Sequence, residues 1–310
     1  MSKPVILDLD TGIDDSMALA LSVLDPGINL LGAVCSYGNV TVENSVFNTR
    51  YMLDLFCAYH IPVFRGEGHS LTSNYFIRHA VSARIHGQDG LGDIGLPVDR
   101  SYTPDPEWEA FLLEQIEACG ADLSLVTTGP LTNLATFLAH YPRQAGKIGR
   151  VISMGGALIF PGNTSECSEA NISQDPEAAK IVMESGIPFV LVPLDVTEKS
   201  RITLAMTAGW KASGLPGRGE LARMVEYYIS QHEEKTECYV HDPSAVTFVT
   251  HPDCFSTIAR YLTVETEEPC RGRVVGDKNR IRAREVNTRI CLDVDDAAVG
   301  AYINKLFLGA

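Results

Sequence analysis

What constrains this chain most is the regular alternation of short apolar runs with amphipathic helical stretches through its first 195 residues. Residues 5–10 form an apolar run that ends in acids, and a glycine turn leads into a helical stretch at 14–24. Further strand signals fall at 30–36, 61–64, 122–128, 151–154 and 189–195. Between them lie a long amphipathic segment from 42 to about 58 and a helix over 131–140, with Pro130 expected at its first helical position. Another helix, capped by Asp175-Pro176-Glu177, reaches residue 185. Strands that alternate with helices need crossover connections, and right-handed crossovers give a mostly parallel sheet. The expected fold is therefore α/β: an open, mostly parallel sheet with helices on both faces. Two consecutive helices near 220–234 and 243–249, then short strands after 258, read as a small C-terminal elaboration. No repeat or composition break divides the 310 residues, so one domain over 1–310 is expected. Ligands of such sheets bind beyond the carboxyl ends of the strands, which is where chemistry is to be sought.

Composition narrows function by exclusion. A formal charge of −14 would repel a nucleic-acid backbone and leans against a polyanionic substrate; a neutral substrate or a bound cation fits better. No apolar run approaches the ~20 residues a membrane span needs. Met1-Ser2-Lys3-Pro4 passes directly into the first apolar run, leaving no room for a signal peptide. The eight cysteines (Cys35, Cys57, Cys119, Cys167, Cys238, Cys254, Cys270, Cys291) form no C-x-x-C pair and read as reduced, mostly buried thiols. The expectation is a cytoplasmic protein with neither nucleic acid nor membrane as partner.

The exit of the first strand carries the strongest chemical signal. Asp8-Leu9-Asp10-Thr11-Gly12-Ile13-Asp14-Asp15 places four carboxylates within eight residues. Strand alternation puts Asp8 and Asp10 on one face, and Gly12 permits a turn that returns Asp14 and Asp15 over the strand end. Acids at a helix N-terminus are favoured in any case, which accounts for Asp14 and Asp15 but not for Asp8 and Asp10. Four mutually repelling acids are costly unless a cation compensates them, and carboxylate oxygens suit a hard ion such as Ca²⁺ or Mg²⁺. A D-x-D after the first strand also resembles haloacid dehalogenase-type phosphatases. In that reading Asp8 is the nucleophile, Asp10 the acid/base and Mg²⁺ the ion, with Thr127 or Thr128 and Asp295-Asp296 as later motifs. The aspartic protease D-T-G does not suit an alternating chain.

The D-x-D-T-G-x-D-D opening resembles the inosine–uridine-preferring nucleoside hydrolases, and further motifs in the same order extend the resemblance over nearly the whole chain. They are Tyr37-Gly38-Asn39, His86-Gly87 to Gly90, Thr127-Thr128-Gly129-Pro130, Met154-Gly155-Gly156, Gly162-Asn163 through Glu169-Ala170-Asn171, and His241-Asp242-Pro243. Each alone has a plainer reading, as turn, cap or core residues; their combination is specific. The resemblance implies hydrolysis of ribonucleosides to ribose and free base in nucleoside salvage. It implies a Ca²⁺ held by Asp10, Asp15, the Thr128 carbonyl and Asp242. By the same resemblance Asp10 would take a proton from the metal-bound water, Asp14, Asn39, Asn163, Glu169 and Asn171 would hold the ribose, and Met154 would lie beneath it. The resemblance likewise implies that His86 sits on a covering loop, that His241 faces the base as proton donor or contact, and that Asp8 supports the metal-binding loop from behind. A homo-oligomer, dimer or tetramer, is also implied. The chain departs from the family on the base side: Ala170 stands where an aromatic is frequent, and His232, near Tyr227, Tyr228 and Gln231, where tyrosine is frequent. The reaction is thus better specified than the base, and a pocket accepting more than one base is expected. A nucleoside-binding protein without turnover is the alternative from another class.

Overall fold

In the computed structural model, which describes residues 2–280 and 285–309, Val5, Leu7 and Leu9 of the first strand pack into one hydrophobic core while Ile6 packs into a second. The division recurs along the sheet. Ile152 and Met154 face the first core and Val151 the second; Val190 and Val192 face the first, Phe189 and Leu191 the second. A strand buried on both faces belongs to a sheet covered on both sides, and its sequence reads as a continuous apolar run rather than an alternation.

The strands are β1 (Lys3–Leu9), β2 (Ile28–Cys35), β3 (Val63–Arg65), β4 (Ser124–Thr127), β5 (Arg150–Met154), β6 (Phe189–Val192), β7 (Arg201–Thr203), β8 (Glu237–Tyr239), β9 (Phe255–Arg260), β10 (Leu262–Val264), β11 (Val274–Gly276) and β12 (Thr288–Val294). Eight of them form the central sheet in the order β3-β2-β1-β4-β5-β6-β12-β9, while β7 pairs with β8 and β10 with β11 in two small antiparallel sheets. Every neighbour in the central sheet is parallel except β9, an antiparallel edge on β12. From β1 the chain builds outward to β2 and β3, then returns to the other side of β1 for β4, β5 and β6. The reversal opens a crevice at the carboxyl ends of β1 and β4, where an open α/β sheet binds its ligand.

The structure corrects several local expectations. The C-terminal part is more than an elaboration, because β12 returns to pair with β6 and completes the main sheet. Helices at Trp108–Cys119, Leu204–Ala212 and Asp296–Leu308 were not expected. Pro130 precedes its helix, which spans Thr132–His140 with Leu131 as N-cap. The strand expected over 189–195 ends at Val192, because Pro193 cannot donate to a ladder and opens the short helix Leu194–Thr197. Asp175 does cap its helix, accepting from the Ala178 N–H at 3.1 Å. Of the cysteines only Cys35, Cys238 and Cys291 are buried; Cys57 is exposed and the other four are intermediate. No described helix is long and apolar enough to cross a membrane.

Leu7 lies at the middle of the sheet and is fully buried. Leu7→Ala is expected to cost about 3 kcal/mol, the order of lost transfer energy plus a cavity in a rigid core. Urea titration should show a lower midpoint with an unchanged slope.

Candidate active site

Asp10 is the first residue beyond β1, and Gly12 turns the chain into the helix Ile13–Leu24. Asp15, in that helix's first turn, accepts the Gly12 N–H at 2.9 Å and the Thr128 hydroxyl at 2.6 Å, so it ties β1's exit to β4's. Asp10 accepts the Asn39 N–H at 2.5 Å. Gly38 makes this approach possible: with φ of +152°, its missing Cβ would lie 1.9 Å from an Asp10 carboxylate oxygen. Asp242 opens the helix Asp242–Thr250, which packs on Ile13–Leu24 and brings its carboxylate to the same point. Oxygens of Asp14, Asp15 and Asp242 lie within 4.8 Å of one another, all three residues being buried.

Burial is the main cause of the electrostatics here, with mutual repulsion added. Asp10 and Asp242 are held well above the ordinary carboxylate range, Asp14 and Asp15 are pushed up to about 6. Among the described residues no lysine or arginine forms an ion pair with any of them. His86 lies close by, with Nδ1 3.7 Å from Asp14. Its Nδ1 accepts the Ile13 N–H at 3.1 Å and burial pushes it down to about 4, so it brings no positive charge. One oxygen of Asp242, Oδ2, is buried without any hydrogen-bond partner. Uncompensated buried carboxylates with an orphaned oxygen are a donor set that fits a hard divalent cation.

Above the cluster opens a cavity of about 340 Å³. Of the residues singled out from sequence, Asp14, Asn39, His86, Thr128, Met154, Asn163, Glu169, Asn171, His232, His241 and Asp242 line it; Asp10 and Asp15 lie outside the lining, beneath it. Glu169 is the N-cap of the helix Ala170–Gln174, its carboxylate held by the N–H groups of Asn171, Ile172 and Gly156. Asn171 spans the strand ends, donating to the Thr128 carbonyl at 2.9 Å and the Met154 carbonyl at 3.2 Å. Asn163 is exposed and accepts the Ala170 N–H at 2.9 Å. The opposite wall is aromatic: ring centroids step from His86 to Tyr228 (5.5 Å), to His232 (4.7 Å), to Tyr239 (5.1 Å) and to His241 (5.8 Å).

The model of the inosine-uridine preferring nucleoside hydrolase family matches residues 5–301. The chain belongs to that family. It is 32% identical over 300 residues to the pyrimidine-specific ribonucleoside hydrolase RihA of Escherichia coli O1:K1 / APEC, with 95% of each chain covered. Identity to the RihA of Salmonella typhimurium is 33% over 301 residues, with the same coverage. Among solved structures, a purine-preferring ribonucleoside hydrolase from Gardnerella vaginalis superposes with a TM-score of 0.95 at 34% identity, covering 99% of this chain and 98% of its own. The plant nucleoside hydrolase PpNRh1 gives 0.93 at 26%, with both chains fully covered. The nucleoside hydrolases of this family split the N-glycosidic bond of ribonucleosides with water.

Within a nucleoside hydrolase the D-x-D has a different meaning from the phosphatase one. Asp8 is buried, lies outside the cavity lining and accepts from the Asn133 amide at 2.8 Å; burial pushes it up to about 7. Its carbonyl takes the Thr128 N–H at 2.8 Å, so the backbone of Asp8, rather than its carboxylate, fixes Thr128. Sequence reasoning missed Thr197, whose hydroxyl pairs with His241 Nδ1 at 2.9 Å, and Tyr239 and Glu198 in the cavity wall. Threonine beside an acid after a strand carries no local signature. Only the pairing of β7 with β8 brings these segments alongside each other.

Proposed function

We propose that this chain hydrolyses the N-glycosidic bond of ribonucleosides, with the ribose over the carboxylate cluster and the base against the aromatic wall. The observation that carries it is the set of buried, uncompensated carboxylates at the floor of a cavity with one polar and one aromatic wall. Asp10, Asp15, Asp242 and the Thr128 carbonyl would hold a Ca²⁺. When bound, the ion lowers the pKa of a water and orients it. Asp10, fixed by Asn39, accepts the water's proton. Asp14, Asn39, Asn163, Glu169 and Asn171 grip ribose hydroxyls over Met154. The backbone bonds that immobilise Glu169 set its remaining lone pairs in place before the sugar arrives. The cover is the helix Ala80–His86 with His79 before it, which borders the cavity, while His86 at its end is buried beside Asp14. In this reading residues 1–310 act as one catalytic domain of a cytoplasmic homo-oligomer, dimer or tetramer, in nucleoside salvage. Pyrimidine-specific and purine-preferring relatives match at similar identity, which supports a pocket accepting more than one base. His232 and Ala170 vary that side of the pocket.

The test is incubation with inosine, uridine and a phosphate monoester in Ca²⁺, following reducing sugar, free base and phosphate. Ribose and base together support the proposal. Phosphate release revives a phosphatase, and tight nucleoside binding without products marks a binding protein.

His241 presents its ring to the cavity in a fixed orientation, since Thr197 holds Nδ1. Burial pushes it down to about 3, so the ring is neutral in the empty pocket, and acting as the acid requires that it gain a proton as negative charge develops on the leaving base. His241→Ala is expected to slow inosine cleavage by roughly 10²–10⁴-fold, the span of general acid catalysis. p-Nitrophenyl riboside, whose leaving group needs no proton, should lose far less. Equal losses on both would assign His241 a binding or structural role instead.

A further inference from the structure

The aromatic wall of the cavity contains one carboxylate that the mechanism above does not use. Glu198 caps the short helix Leu194–Thr197 and lines the cavity beside Tyr228, His232, Tyr239 and His241. Its neighbourhood is held firmly. The Arg201 guanidinium donates to the Glu198 carbonyl, lies 4.1 Å over the Tyr239 ring and pairs with Glu237 at 3.1 Å. Arg201 is thus occupied by a main-chain carbonyl, a ring and another acid. Among the described residues, the Glu198 carboxyl itself makes no hydrogen bond and no ion pair within 4.0 Å.

We propose that Glu198 reads the base, accepting a hydrogen bond from a ring N–H of the imide type, as in N1–H of inosine or guanosine and N3–H of uridine. This deepens the ribonucleoside reading and rests on it. A flat base lying along the aromatic rings satisfies its faces by stacking, but its polar edge needs partners once water is displaced. The side chains of this wall otherwise offer rings, hydroxyls and imidazoles. Glu198 supplies the acceptor-only group that an N–H edge requires. The state of the carboxyl agrees with an unfilled position: burial pushes it up to about 7, with Arg201 only partly opposing. An N–H donor arriving with the substrate would favour the ionised form, as hydrogen bonds to a carboxylate do. Purine and pyrimidine imides share this donor, so one acceptor can serve both kinds of base.

The experiment compares kcat/KM at pH 8 for inosine against N1-methylinosine, and for uridine against 3-methyluridine, in the wild type, Glu198→Gln and Glu198→Ala. The wild type should prefer the unmethylated member of at least one pair by roughly 10–100-fold, the worth of a hydrogen bond to a charged group. Glu198→Ala should bring that ratio close to one, with Glu198→Gln between, since its amide oxygen still accepts. The pair that responds tells whether purine or pyrimidine imides are read. Equal loss on both members of each pair, or a wild-type ratio kept in Glu198→Ala, overturns the assignment and leaves Glu198 a structural role. Failure of the wild type to hydrolyse any nucleoside defeats the hydrolase reading rather than this one. The comparison is then made on the calorimetric affinity of the same four nucleosides, where an affinity ratio unchanged by Glu198→Ala likewise overturns it.

Discussion

Asp242→Ala and Asp10→Ala are each expected to abolish tight Ca²⁺ binding and, with it, nucleoside hydrolysis. The two residues come from opposite ends of the chain and meet only because the helix Asp242–Thr250 packs on Ile13–Leu24. Asp242 belongs to the trio whose oxygens converge within 4.8 Å, and its Oδ2 lacks any other partner. Asp10 lies outside that trio, yet it is close enough to Asp15 for that carboxylate to raise its affinity for protons. Calorimetric titration of Ca²⁺ into chelator-treated protein decides the matter, with thermal unfolding alongside to verify that the variants fold. An unchanged affinity in Asp242→Ala would refute the site. The variant should not lose thermal stability in chelator, because removing one of several repelling buried charges relieves the folded state.

Chelation has a pH signature whose sign follows from the same groups. Asp14 and Asp15 are raised to about 6 and Asp8 to about 7, against an unfolded value near ~3.9. A raised carboxylate favours the folded state fully below the unfolded pKa and loses that contribution as pH climbs through the folded one. The metal-free protein should therefore become less stable from about pH 4 to about pH 7, and added Ca²⁺ should restore most at the alkaline end. A chelated protein whose Tm rises with pH over this range would contradict the charge cluster as described.

How much of this was legible in sequence follows from how local each feature is. The Asp10–Asp15 turn could be read because a strand, a glycine and a helix start lie within a few residues. So could the Asp175 cap, where acid and proline are adjacent. The place of β12 could not: it reaches β6 only after the excursion through β9, β10 and β11, and parallel pairing at that distance leaves no periodic trace. The helices Trp108–Cys119 and Leu204–Ala212 have apolar faces, but tertiary packing rather than propensity selects them. In the site, residues with side-chain chemistry were visible through their motifs. Thr128 was visible only through family resemblance, because a carbonyl donor has no side-chain signature. The aromatic wall is legible at Tyr228, His232 and His241 but not as a wall, since Tyr239 joins it only through the pairing of β7 with β8. Contacts made between distant segments are what a linear reading misses first.

The sugar end supports the sharpest quantitative expectation. Asp14, Asn39, Glu169 and Asn171 converge on the cavity floor, and Glu169 and Asn171 are already tied to the strand ends by backbone groups. In the proposed reading, a pocket preset in this way would pair each ribose hydroxyl with a particular oxygen or amide. When a hydroxyl is missing, the polar groups meant for it stay buried and unpaired, and the penalty falls on the transition state. The discrimination against 2′-deoxynucleosides should accordingly reach ~10⁴-fold in kcat/KM, the scale set by sites built around a substrate hydroxyl. Nucleotides should also be poor substrates, because a 5′-phosphate would be brought to Asn163 with acidic groups around it and no free cationic side chain among the lining residues. The measurement is kcat/KM for inosine, 2′-deoxyinosine and inosine monophosphate under one set of conditions with Ca²⁺ present. Comparable values for the ribo- and deoxyribonucleoside would remove the ribose-gripping roles of Asp14, Asn39, Glu169 and Asn171 together, since none of them acts without the diol. A preference for the monophosphate would point to a nucleotide-directed enzyme, and the carboxylate floor would then need a second cation to meet the phosphate.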